Sequence, residues 1–203
     1  MSYADNLAEE FATVDLLLPS ETRTGRTDAF IISWVKVEKQ IRRVFVYTIF
    51  QFPCFSKVDN KGIRDLIADN TGLYFRHFAK GFNDLFPKSL KAIVGSDYDK
   101  SLKEINRIKR HRDKILHGQL TKDELTSTQL SNEVEILRRW IRLLAEKLSD
   151  EIGYDGLSNA CEKSQLANFP KLNATINTLD DLKDFIRTRM PSGHNGVKWT
   201  DIQ

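Results

Sequence analysis

Cysteine is scarce in this 203-residue chain, which holds two. Cys54 and Cys161 stand far apart and outside any metal-ligand spacing. That excludes a disulfide-stapled scaffold and points to a reduced, cytoplasmic setting. Long apolar runs are missing, so neither a membrane span nor a membrane partner is expected. The opening residues lack a basic stretch followed by an apolar one, so no secretory signal is expected. Strand-like alternation and internal repeats are absent as well. So are glycine-rich phosphate loops of the Walker or dinucleotide type, and ATP or NAD use is not expected. The four histidines, His77, His111, His117 and His194, have no ligand spacing, and the carboxylates form no hard-metal cage. No cofactor and no metal are therefore expected. The net charge of +3 is modest. It permits nucleic-acid binding, but only local clustering could argue for it.

What the chain does have is helical periodicity. At this length one domain is expected, with roughly 70% of the unfolded surface buried on folding. From Thr27 to Phe50 the residues Phe30, Trp34, Val37, Ile41, Val44, Phe45 and Ile49 fall at helical spacing, and Lys36, Lys39, Arg42 and Arg43 lie mostly off that stripe. A second helix is predicted from Gly72 to Phe86, with Phe75, Phe78, Phe82 and Phe86 on one face and Pro87 closing it. A third starts near Ser96-Asp-Tyr-Asp99, read as a capping box, and carries Tyr98, Leu102, Ile105 and Ile108 inward until Gly118 ends it. The fourth runs from Ser127 to Ile152 along Leu130, Val134, Leu137, Ile141, Leu144 and Leu148, and Gly153 stops it. The fold class is therefore all-α, an antiparallel bundle of four to five helices. Residues 1–26 read as a polar N-terminal segment with a short apolar patch at Val14 to Leu18. Residues 27–152 form the bundle. Residues 153–203 read as an extension with one short helix, Thr178 to Met190, and a loose tail.

Chemistry-bearing groups converge in one stretch, Arg107-Ile-Lys-Arg-His-Arg-Asp-Lys-Ile-Leu-His-Gly118. Asp113 and His117 are four apart and share a helix face, so the carboxylate is expected to hold the imidazole in one tautomer. Arg112 and His117 are five apart, about 140° round the helix, and do not aim at one spot. Two such helix ends meeting across a two-fold axis would bring each imidazole to the other and to both Arg forks. Histidine can act as general base and acid, and arginine can clamp a phosphate with paired charge-assisted hydrogen bonds. Together they suit RNA cleavage through the 2′-hydroxyl, which needs no metal. Arg107, Lys109, Arg110, His111 and Lys114 are candidate RNA contacts, although a solvated basic face is the plainer account of most of them.

Arg112-Asp-Lys-Ile-Leu-His117 resembles the Arg-x4-His signature of the HEPN superfamily, including the polar residue that usually follows the arginine. The resemblance covers Thr27 to Ile152. It implies an all-α fold, a homodimer, and a metal-independent endoribonuclease with Arg112 and His117 catalytic and Asp113 supporting. It further implies a toxin or anti-phage defence effector, with RNA as substrate and an antitoxin or regulatory protein as a candidate partner. One toxin branch carries a tyrosine two positions after the histidine, where this chain has Gln119. The competing expectation is a non-catalytic helical module that dimerises or binds a partner or nucleotide. The phenylalanine stripe is read as core, His77 as exposed, and His194 as part of the loose tail.

Overall fold

Two long amphipathic helices, α2 (Gly25–Phe50) and α7 (Ser127–Ile152), pack against each other and form the spine of the fold. The computed structural model describes residues 3–20, 22, 24–118, 125–192 and 196–203. Around the spine lie α1 (Tyr3–Leu17), α3 (Asn60–Asp69), α4 (Phe75–Leu85), α5 (Leu90–Val94), α6 (Tyr98–Leu116) and α8 (Leu179–Arg189). Single 3-10 turns occur at Lys57–Asp59, Gly95–Asp97 and Trp199–Ile202. No strand occurs among the described residues, so the chain is an all-α bundle. None of its described helices is long and apolar enough to cross a membrane.

The stripe of α7 is buried throughout, from Leu130 to Leu148. Thr126 caps its start by accepting from the Gln129 N–H at 3.2 Å, and Gly153 ends it in the left-handed region at φ 72°. In α2 every residue from Val44 to Phe50 is buried. A helix segment apolar on nearly all sides needs neighbours on nearly all sides: Phe45 meets Phe78 of α4, and Tyr47 donates to the Ile152 carbonyl at the end of α7. Thr48 lies within it and satisfies its hydroxyl by donating to the Val44 carbonyl at 2.9 Å.

Three helices were not foreseen. The N-terminal segment is helical over Tyr3–Leu17 and buries Leu7, Phe11 and Val14. These sit at i, i+4 and i+7, one helix face that the patch at Val14 to Leu18 hides. Helices α3 and α5 bury two apolar residues each, too few to mark a period. The capping box expected at Ser96 does not form. Asp97 precedes α6 in helical backbone and makes no side-chain cap bond, because the chain arrives there from α5 through a 3-10 turn rather than from an extended segment. The four phenylalanines of the predicted stripe are all buried, as expected.

The C-terminal segment is laced to the bundle. Gln40 donates to the Ile141 and Asp155 carbonyls at 3.0 and 3.1 Å, which ties α2 to α7 and to the turn after it. Asn6 of α1 donates to Asp155 at 2.6 Å. The tail expected to be loose packs inward at its end: Val197 and Ile202 are buried, Tyr98 donates to the Ile202 carbonyl at 2.6 Å, and Trp199 stacks on Phe75. His194 and Gln119 lie outside the described residues.

His77 is buried, with 1% of its surface exposed, and not at the surface as expected. It occupies the third position of α4, where its Nδ1 accepts the Tyr74 N–H at 3.0 Å, the role a Glu or Gln takes in a capping box. Its Nε2 faces the Pro191 carbonyl without closing a full hydrogen bond. Burial, and then the Arg76 charge, push its pKa below the ordinary 6.5. The unfolded chain therefore takes up the proton first. The stability contributed by neutral His77 is present above pH 6.5 and is lost as the pH falls through the folded-state value. Urea midpoints should drop below that pH in wild type. His77→Gln, which keeps the cap and removes the titration, should flatten that part of the profile.

Candidate functional site

Helix α6 delivers the charged cluster at its C-terminal end. Arg112 turns inward against α2. Its guanidinium carbon lies 5.0 Å from the centroid of the Trp34 ring, Nη2 bonds Glu38 Oε1 at 3.2 Å, and Nη1 meets Asp113 Oδ1 at 2.9 Å. The side chain is only 14% exposed. An aromatic face below and two carboxylates at the edges fix the plane of the fork. Its Nε is buried with no partner among the described residues.

Asp113 does not meet His117. Its carboxylate binds Lys109, four residues back, as well as Arg112. Two full charges outcompete a neighbouring imidazole for the same oxygens, because charge-assisted bonds are the stronger ones. The helix also ends at Leu116. His117 is the C-cap residue at φ −92° and ψ 7°, donating its backbone N–H to the Asp113 carbonyl at 3.0 Å, so the regular repeat stops at this residue. Gly118 follows at φ 62°, the left-handed stop expected of it. The imidazole is exposed and has no side-chain partner among the described residues. Beside it Leu116 is 57% exposed.

Sequence reasoning did not foresee Glu38. Burial pushes its carboxyl above the ordinary value; the Arg112 charge and the Trp34 indole pull it back, while Asp113 adds to the rise. The indole N–H is turned toward Glu38 but falls short of full hydrogen-bond geometry. Acidification thus neutralises Glu38 before an ordinary glutamate and releases an Arg112 donor. The only local hint of this role is that Glu38 is a carboxylate on the apolar face of α2, one turn after Trp34.

The candidate RNA contacts fall into two groups. Arg107 Nη1 and His111 Nδ1 both reach Glu133 Oε1 of α7, at 2.6 and 2.7 Å. Glu133 is 3% exposed, so these two side chains serve as pins between α6 and α7. Lys109 is taken by Asp113. Arg110 and Lys114 form no ion pair among the described residues and remain available to solvent or ligand. No three His, Cys, Asp or Glu side chains gather to hold a metal ion among the described residues.

No protein-family model, curated protein or solved structure matches this chain. The functional reading therefore rests on the geometry at the end of α6 and on the motif it carries.

Proposed function

We propose that this chain is a metal-independent endoribonuclease of HEPN type, with a site completed when two copies bring their α6 ends together. The observation that supports it best is the pairing, within six residues, of a tightly oriented guanidinium and an exposed imidazole with no side-chain partner among the described residues. Arg112 has donors to spare, since Glu38 and Asp113 take one terminal nitrogen each. In the reaction His117 takes the proton of the 2′-hydroxyl, or gives one to the leaving 5′-oxygen, and Arg112 carries the charge that builds on the phosphorane. Two copies supply a base and an acid at once. Asp113 then acts on Arg112, not on His117: it keeps the fork in plane. The products are a 2′,3′-cyclic phosphate end and a 5′-hydroxyl end. A toxin or defence effector is the biological role that the motif suggests.

The test is cleavage of a labelled RNA in EDTA, with size measurement of the protein in solution. Wild type should cut. Arg112→Lys should lose about 10²-fold or more in rate, because an ammonium cannot supply a planar fork for transition-state charge. A strictly monomeric protein that cuts as well as expected would remove the shared site. One observation favours the second reading, a non-catalytic module: Arg112 is half neutralised in the single chain by Glu38 and Asp113. On that reading RNA is retained at low salt and never cut.

A further inference from the structure

Away from the end of α6, a groove of about 990 Å³ opens between α2 and α3. Lys39, Arg42 and Arg43 line it from α2, and Lys57, Lys61 and Arg64 from the 3-10 turn and first turns of α3. Asp65 is the single carboxylate among the lining residues, and Lys61 already holds it. Glu10 draws Lys39 and Arg43 from the side. Arg42, Lys57 and Arg64 are exposed and have no ion pair among the described residues. Cations elsewhere are commonly matched, as in Lys80–Asp84 and Lys88–Glu151. Six cations around one concavity, with two carboxylates shared among three of them, leave a surplus of positive charge that raises the local concentration of anions.

We propose that this groove binds the backbone of single-stranded RNA. The cations do not converge on a point, as they would around one compact anion. On α2 they span one turn, about 6 Å of rise. On the other wall Lys61 and Arg64 lie three apart on one face of α3, and Lys57 stands before them in the 3-10 turn. Two facing rows of cations suit a line of phosphates. Phe78 reaches the groove but is 4% exposed, so the lining offers no open ring for base stacking. Contact with the backbone alone makes the binding indifferent to sequence. Arg42 lies one turn along α2 from Glu38, the residue that orients Arg112. The inference rests on the ribonuclease reading only for the choice of RNA as the polyanion.

The experiment uses His117→Ala protein, so that binding is read without cutting. A fluorescent single-stranded RNA is titrated by anisotropy in EDTA at several salt concentrations between about 50 and 200 mM, the range over which phosphate binding weakens steeply. Arg42→Glu/Arg64→Glu should weaken binding at least tenfold. The milder Arg42→Gln/Arg64→Gln should lower the slope of log K against log salt by about 0.7 for each phosphate the variant no longer neutralises. Lys100→Glu/Lys171→Glu, exposed and away from the groove, matches the charge change and should bind like the parent. Circular dichroism melts check that each variant is folded. Equal weakening in the groove and control variants overturns the proposal, as does displacement by a mononucleotide at the same concentration as by the RNA strand. Groove-dependent binding with no cleavage by wild type sinks the nuclease reading and leaves this one standing. Unchanged affinity in the groove variants, with cleavage intact, does the reverse.

Discussion

His117→Ala should cut RNA about 10³-fold more slowly than wild type in EDTA while melting at the same temperature. The rate effect follows from the size of general acid–base catalysis, about 10²–10⁴-fold per positioned group. The unchanged melting follows from the position: the imidazole is exposed, past the end of α6, and bonded to no described side chain. Truncation there removes no buried contact, and surface substitutions of this kind stay within about 0.5 kcal/mol. The two readouts together separate a chemical role from a structural one. Loss of cleavage with loss of stability would point instead to damage at the helix end. Retained cleavage in His117→Ala would end the proposed mechanism. Mixing His117→Ala with Arg112→Ala extends the test, because partial rescue in the mixed dimer requires that two chains build one site.

Arg112→Ala should behave differently. Its guanidinium covers Trp34 and is the counter-charge of Glu38, whose carboxyl burial already holds above its ordinary value. Removing the cation leaves that carboxylate half-buried without its partner, so stability should fall along with rate. The contrast arises from where the two side chains point, inward to α2 for one and outward for the other.

That contrast is also where reading the chain residue by residue stops. Arg112, Asp113 and His117 stand out because their spacing is local, and a helix converts local spacing into geometry. Glu38 lies 74 positions from Arg112, and its place on the α2 face does not say which cation it meets. Glu133, 22 positions from His111, is hidden in the same way. Even within the motif the i, i+4 argument for Asp113 and His117 gives way, because Lys109 sits at the other i, i+4 position and carries a full charge. The long helices could be read because six or seven apolar residues repeat in each. Helix α3 offers only Ile63 and Ile67, and it packs closely on α8 at Gly62, where a Cβ would stand 2.7 Å from the tip of Leu179. His77 was misplaced for a related reason: its capping role depends on an extended Tyr74, a backbone state that periodicity does not report.

Trp140→Ala should cost about 3–5 kcal/mol, the usual range for removing a buried large aromatic. Trp140 is 2% exposed on α7 and packs against Phe75 of α4 and Tyr98 of α6, with ring centroids 6.2 and 6.0 Å away. The cavity would open where α4, α6 and α7 meet. For a domain of this length the loss lowers the melting temperature by roughly 6–20 °C. Trp140→Phe should be far milder. The buried indole N–H has no acceptor among the described residues, so phenylalanine removes an unsatisfied donor along with part of the ring volume. The effect should also reach the site. Tyr98 begins α6, and its packing on Trp140 helps set where the far end of that helix lies. RNA cleavage by Trp140→Ala should therefore fall more steeply on warming than its folded fraction, as α6 loosens before the spine of α2 and α7 gives way. Cleavage that tracks the folded fraction at every temperature would show instead that α6 and the spine melt as one unit.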